Sequence, residues 1–238
     1  MFYFLLTPIL TYNFILVAAA VIPAIVLMIK VYNSDRLEKE SPHMLWVLVR
    51  SGIFSALIAL VLERIFGSLL SATVQDQGLY QVLLYFVVVA CSEEGAKYFM
   101  LKRTSWNSDE FNCQFDGIVY AVFVSLGFAL WENISYVMHY GFSVALIRAL
   151  TAIPGHTCFG VFMGLFYGVA RKFENRGETG KASQFRWLSV IVPAVLHGAY
   201  DYIASVDAGT LLFVVFIVAL FFISYRIVSR MSKVDHYI

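Results

Sequence analysis

The sequence predicts an all-α protein, a polytopic transmembrane helix bundle of about seven spans in which residues 1–238 form one integral membrane domain. Three observations carry that expectation. The composition is 60% hydrophobic and only 14% charged, with mean hydropathy +0.76, whereas soluble chains average about a quarter charged residues. Seven stretches reach the length of about 20 apolar residues that a helix needs to cross a bilayer. Lys and Arg gather after alternate stretches, as they do in cytoplasmic loops.

In chain order, the spans are expected near residues 3–29, 44–66, 79–101, 117–139, 143–169, 187–206 and 209–228. The first has no basic segment ahead of it, and its apolar run continues to Lys30. That is longer than the hydrophobic part of a signal peptide, so it is read as a retained span. Lys30, Arg36 and Lys39 follow it; Lys102 and Arg103 follow the third, Arg171, Lys172, Arg176, Lys181 and Arg186 the fifth, and Arg226, Arg230 and Lys233 the seventh. The N-terminus is therefore expected outside and the C-terminus in the cytoplasm. Trp46, Trp187 and Tyr225 fall near the cytoplasmic ends, where amphipathic rings favour the interface. Arg50, Glu63, Arg64 and Arg148 sit near span ends, where long side chains snorkel or pair without any functional role.

The connections are too short to hold a soluble domain, and the longest polar one runs only from Arg171 to Arg186. There is no Gly-rich phosphate loop, fixed-period repeat or basic stripe with interleaved aromatics, so nucleotide and nucleic-acid binding are not expected. Three cysteines, Cys91, Cys113 and Cys158, are an odd number with two inside spans. Structural thiols are expected rather than a disulfide framework.

Against this apolar background, a few ionisable residues stand out. Glu93 and Glu94 lie inside the run Leu79 to Leu101, and Lys97 comes soon after them. Residues four apart share a helix face, so Lys97 is expected to pair with Glu93 and leave Glu94 about 100° away. The fourth span carries Glu132-Asn133, and Asp116 is expected to cap its start. The fifth brings His156 just after Pro154-Gly155, and the sixth brings His197 with Asp201 four residues on and Pro193 four before. A proline frees a carbonyl one turn back, so both histidines follow helix distortions that admit water.

Glu93, Glu94, His156 and His197 fall within about two turns of mid-depth, with Glu132 and Asp201 nearer the outer face. Six such groups at about 3 kcal/mol each would cost about 18 kcal/mol in lipid, more than the about 5–15 kcal/mol that stabilises a whole protein. They must therefore meet one another, water or a cation, and a shared cavity opening outward would let all six do so. Two imidazoles and a carboxylate, His156, His197 and Glu132, are a ligand set suited to zinc with an open water position. A glutamate would then be the general base. Without metal, a glutamate could activate water directly while a histidine donates to the oxyanion. The same residues could instead form a proton relay in a proton-coupled transporter, or a buried ion network that only fixes packing in a membrane scaffold. There is no His-Glu-x-x-His, no Gly-x-Ser-x-Gly and no pair of matched broken helices.

On Glu93-Glu94-x-x-Lys97, Phe115-Asp116-Gly117-Ile118-Val119-Tyr120, Phe128-x-x-x-Glu132-Asn133, His156 with Gly160, and His197-Gly198-x-x-Asp201, the chain resembles the PrsW family of bacterial membrane proteases. That family is a distant relative of the type II CAAX prenyl endopeptidases. The resemblance implies a multi-pass protease of the bacterial cell membrane, with Glu93, Glu94, His197 and His156 as catalytic candidates and Lys97, Glu132, Asn133 and Asp201 in support. It also implies a substrate: a single-span anti-sigma factor, cut first on its extracytoplasmic side. The prenyl endopeptidases usually carry Arg one position beyond Lys97, His in place of Glu132 and Asn in place of Asp201, so a prenylated substrate is not expected.

Overall fold

The computed structural model describes residues 2–206 and 210–238, with side chains from residue 14 onward. The described residues form nine α-helices: α1 (Phe2–Ser34), α2 (Pro42–Thr73), α3 (Gln77–Leu83), α4 (Ala90–Ser105), α5 (Asp116–Tyr140), α6 (Phe142–Leu150), α7 (Ala152–Asn175), α8 (Thr179–Ser205) and α9 (Thr210–Met231). A π-helical turn, Leu84–Val89, joins α3 to α4. Taking α3 with α4 and α6 with α7, seven segments are long and apolar enough to cross a membrane. They coincide with the seven expected spans, but α2 runs on to Thr73 and α8 begins at Thr179. A helix does not stop where apolar sequence stops: the first turns of α8 carry Lys181, Gln184 and Arg186 and are helical all the same.

Local chemistry sets the boundaries. Ser41 precedes Pro42 and accepts the Met44 amide at 3.1 Å, and Asp76 accepts the Leu79 amide at 2.7 Å, so α2 and α3 both start on side-chain caps. Gly141 takes φ 84 between α5 and α6, a conformation that costs a glycine little. The fifth span breaks at Thr151, with φ −121 and ψ −65. Pro154 lies three residues beyond and has no N–H to offer the carbonyl of Leu150.

Helix α5 is the centre of the bundle, followed by the span formed by α6 and α7; 78% and 61% of their most apolar stretches are buried, against 17% for α9. Two glycine contacts allow that depth. A Cβ on Gly127 would lie 2.3 Å from the Val49 carbonyl oxygen of α2, and one on Gly164 would lie 2.3 Å from the Gly117 oxygen of α5. Close backbone approach of this kind is how helices gain contact inside a bilayer. The outer helices turn Ile22, Phe54, Val61, Leu211 and Phe222 outward, a surface that only lipid would cover. Trp46, Trp187 and Tyr225 are exposed as well.

At the end of the bundle that carries the C-terminus, the tail folds back. Cys113 and Tyr237 form an antiparallel bridge, and the Ile238 amide donates to the Asn112 oxygen at 2.8 Å. Asp116 does not cap α5 as expected. It sits in the first turn, and its Oδ2 accepts the amides of Asn112 at 3.0 Å and Cys113 at 2.6 Å, so it holds the preceding loop instead. Nearby, burial and the adjacent Asp116 carboxylate push the Glu40 carboxyl up to about 9.

Candidate functional site

The site begins with the π-helical turn. Its wider coil carries one extra residue into the span, a device that recurs at functional sites. Here Gly198 of α8 packs on it so closely that a Cβ would lie 2.6 Å from the Phe86 ring. That contact brings His197 of α8 against the start of α4, where Glu93, Glu94 and Lys97 point inward, all buried.

Lys97 Nζ is the hub of the cluster. It donates to Glu94 Oε1 at 2.7 Å and Glu93 Oε2 at 3.2 Å, contacts His156 Nδ1 at 3.1 Å, and lies 4.0 Å above the Phe128 ring. The expected pairing of Lys97 with Glu93 alone is therefore corrected: the four-carbon stem lets one ammonium serve residues three and four positions back. An ammonium can only donate, so His156 Nδ1 accepts from it. His156 Nε2 then carries the proton and donates to Glu132 Oε2 at 2.8 Å.

His197 lies between two acids, with Nδ1 2.9 Å from Glu94 Oε1 and Nε2 3.4 Å from Asp201 Oδ2. Phe159 stacks on it with ring centroids 4.8 Å apart, and the two imidazoles are 5.5 Å apart. A cavity of about 500 Å³ opens over these groups, lined by Glu93, Glu132, His156, His197 and Asp201 together with Glu63 and Arg148. Glu94 does not line it. It stands behind, fully buried, and its Oε2 has no hydrogen-bond partner.

Glu93, Glu94, Lys97, Glu132, His156, His197 and Asp201 thus converge from α4, α5, α7 and α8. Asn133 does not face the cavity. It ties α5 to α1 by donating to the Ala20 oxygen at 3.0 Å, and touches the site only by accepting from Arg148 Nε at 2.9 Å. Two residues read as span-end charges belong to the site instead. Arg148 pairs with Glu132 at 2.9 Å and packs on the Tyr136 ring. Glu63 lines the cavity from α2; its spacing from Ala56 and Leu60, which line the same wall, was the available signal.

Glu93, Glu94 and His156 each place one donor atom within 4.8 Å of the others, a mixed oxygen and nitrogen set that suits zinc. This is not the expected set of His156, His197 and Glu132, because His156 spends its Nε2 on Glu132 and His197 faces Glu94. The Lys97 ammonium fills the point where the three donors meet. A metal taking them would have to displace it, and the unpartnered Glu94 Oε2 is the acceptor such a group would find.

Residues 40–226 match a family model described as PrsW family intramembrane metalloprotease. Curated relatives named Protease PrsW align over most of their length. The one from Oceanobacillus iheyensis is 30% identical, covering 92% of this chain and 96% of its own. The one from Geobacillus kaustophilus is 33% identical over 80% of each chain, and that from Clostridioides difficile 30% identical over 84% of each. No solved structure matches the chain.

Proposed function

The chain belongs to the PrsW family of intramembrane proteases and is a multi-pass hydrolase of the bacterial membrane, and from that premise we propose that it cuts a single-span membrane protein in its Glu/His cavity. By resemblance the substrate is an anti-sigma factor, cut on its extracytoplasmic side. One observation carries the reading: two glutamates and two histidines from three separate helices meet in and behind the wall of one intramembrane cavity.

Glu93 faces the cavity, so its carboxylate takes the proton of the attacking water. Glu94 is a positioning residue, holding Lys97 and the Nδ1 side of His197. His197 gives its Nδ1–H to Glu94 and stands between two carboxylates, so it acts as the imidazolium, whose Nε2–H on the Asp201 side of the cavity donates to the oxyanion of the tetrahedral intermediate. His156, fixed by Lys97 and Glu132, stands beside that oxygen, and Arg148 keeps Glu132 in place. A zinc ion held by Glu93, Glu94 and His156 in place of the Lys97 ammonium would supply Lewis-acid polarisation and a more acidic bound water, and Glu93 would then be a ligand rather than the base.

The test is cleavage of a single-span substrate by purified protein in proteoliposomes. Glu93→Ala, Glu94→Ala and His197→Ala are each expected to abolish it, and full activity in all three refutes the assignment. Metal analysis of the same preparations reads the ion directly: stoichiometric zinc that falls in His156→Ala and Glu93→Ala but persists in His197→Ala would favour this donor set. Proton flux without proteolysis would favour the relay reading instead.

A further inference from the structure

A second acidic cluster lies at the other end of α5, away from the cavity. Asp35 follows α1, Glu40 precedes α2, and Asp116 opens α5; each places a carboxylate oxygen within 4.8 Å of the others, and all three are buried. Three carboxylates this close repel one another unless something positive or a proton joins them. None of the ion pairs among the described residues involves any of the three. The Lys39 ammonium attracts the Asp35 carboxylate but forms no ion pair with it: its Nζ donates to the Tyr32 oxygen at 2.5 Å and the Asp35 backbone oxygen at 2.6 Å.

The partners of each acid are uneven. Glu40 Oε2 accepts the Tyr120 hydroxyl at 2.7 Å, and Asp116 Oδ2 accepts two loop amides. Asp35 is only 3% exposed, and neither of its carboxylate oxygens has a hydrogen-bond partner. The Leu37 and Glu38 amides lie near its carboxylate and favour the charged form, but neither completes a hydrogen bond to it. A buried, unpartnered carboxylate costs free energy, and this one converges with two further carboxylate oxygens. The C-terminal tail adds Asp235, whose Oδ1 accepts the Phe115 amide at 2.9 Å while its Oδ2 is also buried and unpartnered.

We infer that Asp35, Glu40 and Asp116 hold one hard divalent cation, Mg²⁺ or Ca²⁺, which ties the α1–α2 connection to the start of α5. The donor set decides the class. Oxygen-only ligands favour Mg²⁺ and Ca²⁺ over zinc or copper, which prefer nitrogen and sulfur. Donor atoms no more than 4.8 Å apart can be spanned by one ion with bonds of about 2.1 to 2.6 Å, and water completes the shell. The ion would staple two chain segments, the α1–α2 connection and the start of α5, which are distant in sequence. It lies apart from the Glu93–Glu94 site and does not depend on the protease reading.

The experiment titrates MgCl₂ and CaCl₂ into the detergent-purified full chain, with calorimetry and thermal unfolding as readouts. Wild type and Glu94→Gln are both expected to bind one ion saturably and to gain Tm with it. Asp35→Asn is expected to weaken binding at least about tenfold, because affinity in such sites follows ligand charge, and to lose the ion-dependent gain in Tm. If Asp35→Asn does not fold, Glu40→Gln takes its place, with the same expectation. No saturable binding of either ion up to about 10 mM, above the weakest range of carboxylate sites, overturns the inference. So does binding that survives Asp35→Asn and is lost in Glu94→Gln, which would put the ion at the other cluster.

Discussion

Lys97 decides the charge of the candidate site, because one ammonium faces Glu93, Glu94 and His156 at once. Lys97→Met would leave two adjacent buried carboxylates without their cation. Removing one partner of a buried pair costs about 3–5 kcal/mol, so we expect a clear fall in the Tm of the solubilised protein even with its substrate absent. The two glutamates should separate by what else they lose. Glu93→Gln is expected to lower cleavage by about 10²–10⁴-fold, the usual worth of a general base, with a smaller fall in Tm than Lys97→Met, because Lys97 keeps Glu94 as its partner. Glu94→Gln should lose activity and Tm together, since Glu94 holds both Lys97 and His197. A Glu94→Gln protein that keeps its Tm would reverse the two roles. At this scale much was legible in the sequence: Glu93, Glu94, His156 and His197 announced themselves by being ionisable within apolar runs. Arg148 did not, because near the end of a span an arginine that snorkels and one that turns inward to a carboxylate read the same.

At the scale of elements, the helices follow from apolar length, and their interruptions follow from neighbours. Spans were legible because a bilayer demands about 20 apolar residues with every backbone group satisfied. The π-helical turn was not legible, since its reason is tertiary: Gly198 sits on Phe86, and no local signal in Leu84–Val89 requires it. The break at Thr151 was half legible; Pro154 gave it away, but three residues late. The glycine contacts make a test of element packing. Gly164→Ala places a methyl against the backbone of α5, at 2.3 Å from the Gly117 oxygen. Overpacking of this kind costs about 1–3 kcal/mol. Gly67→Ala, with nothing within 4 Å, is expected to leave Tm unchanged or raise it. Thermal unfolding of the two variants side by side checks the pair, and equal behaviour would mean that α5 and α7 can separate at little cost.

For the whole molecule, the important quantity is depth. Glu132 precedes the end of α5 by eight residues, and His197 precedes the end of α8 by eight, so both lie about 12 Å below the same end of the bundle. Asp201 lies about 6 Å below it. The opposite end carries Asp116, the basic loop after α7 and the C-terminal tail. If the basic end faces the cytoplasm, as the charge distribution argues, the cavity belongs to the outer half of the membrane. A substrate helix is then expected to be opened in its outer half, because His197 and Glu132 lie about 3 Å outward of the midplane of a core about 30 Å thick. We therefore expect the cut to fall within about two helical turns of the outer boundary of the substrate span. Mass spectrometry of the two fragments gives the position directly. A cut in the cytoplasmic half of the substrate would require either the reverse orientation of the bundle or a different set of attacking residues, and cysteine labelling of the loop between α7 and α8 from each side of the membrane would tell those two apart.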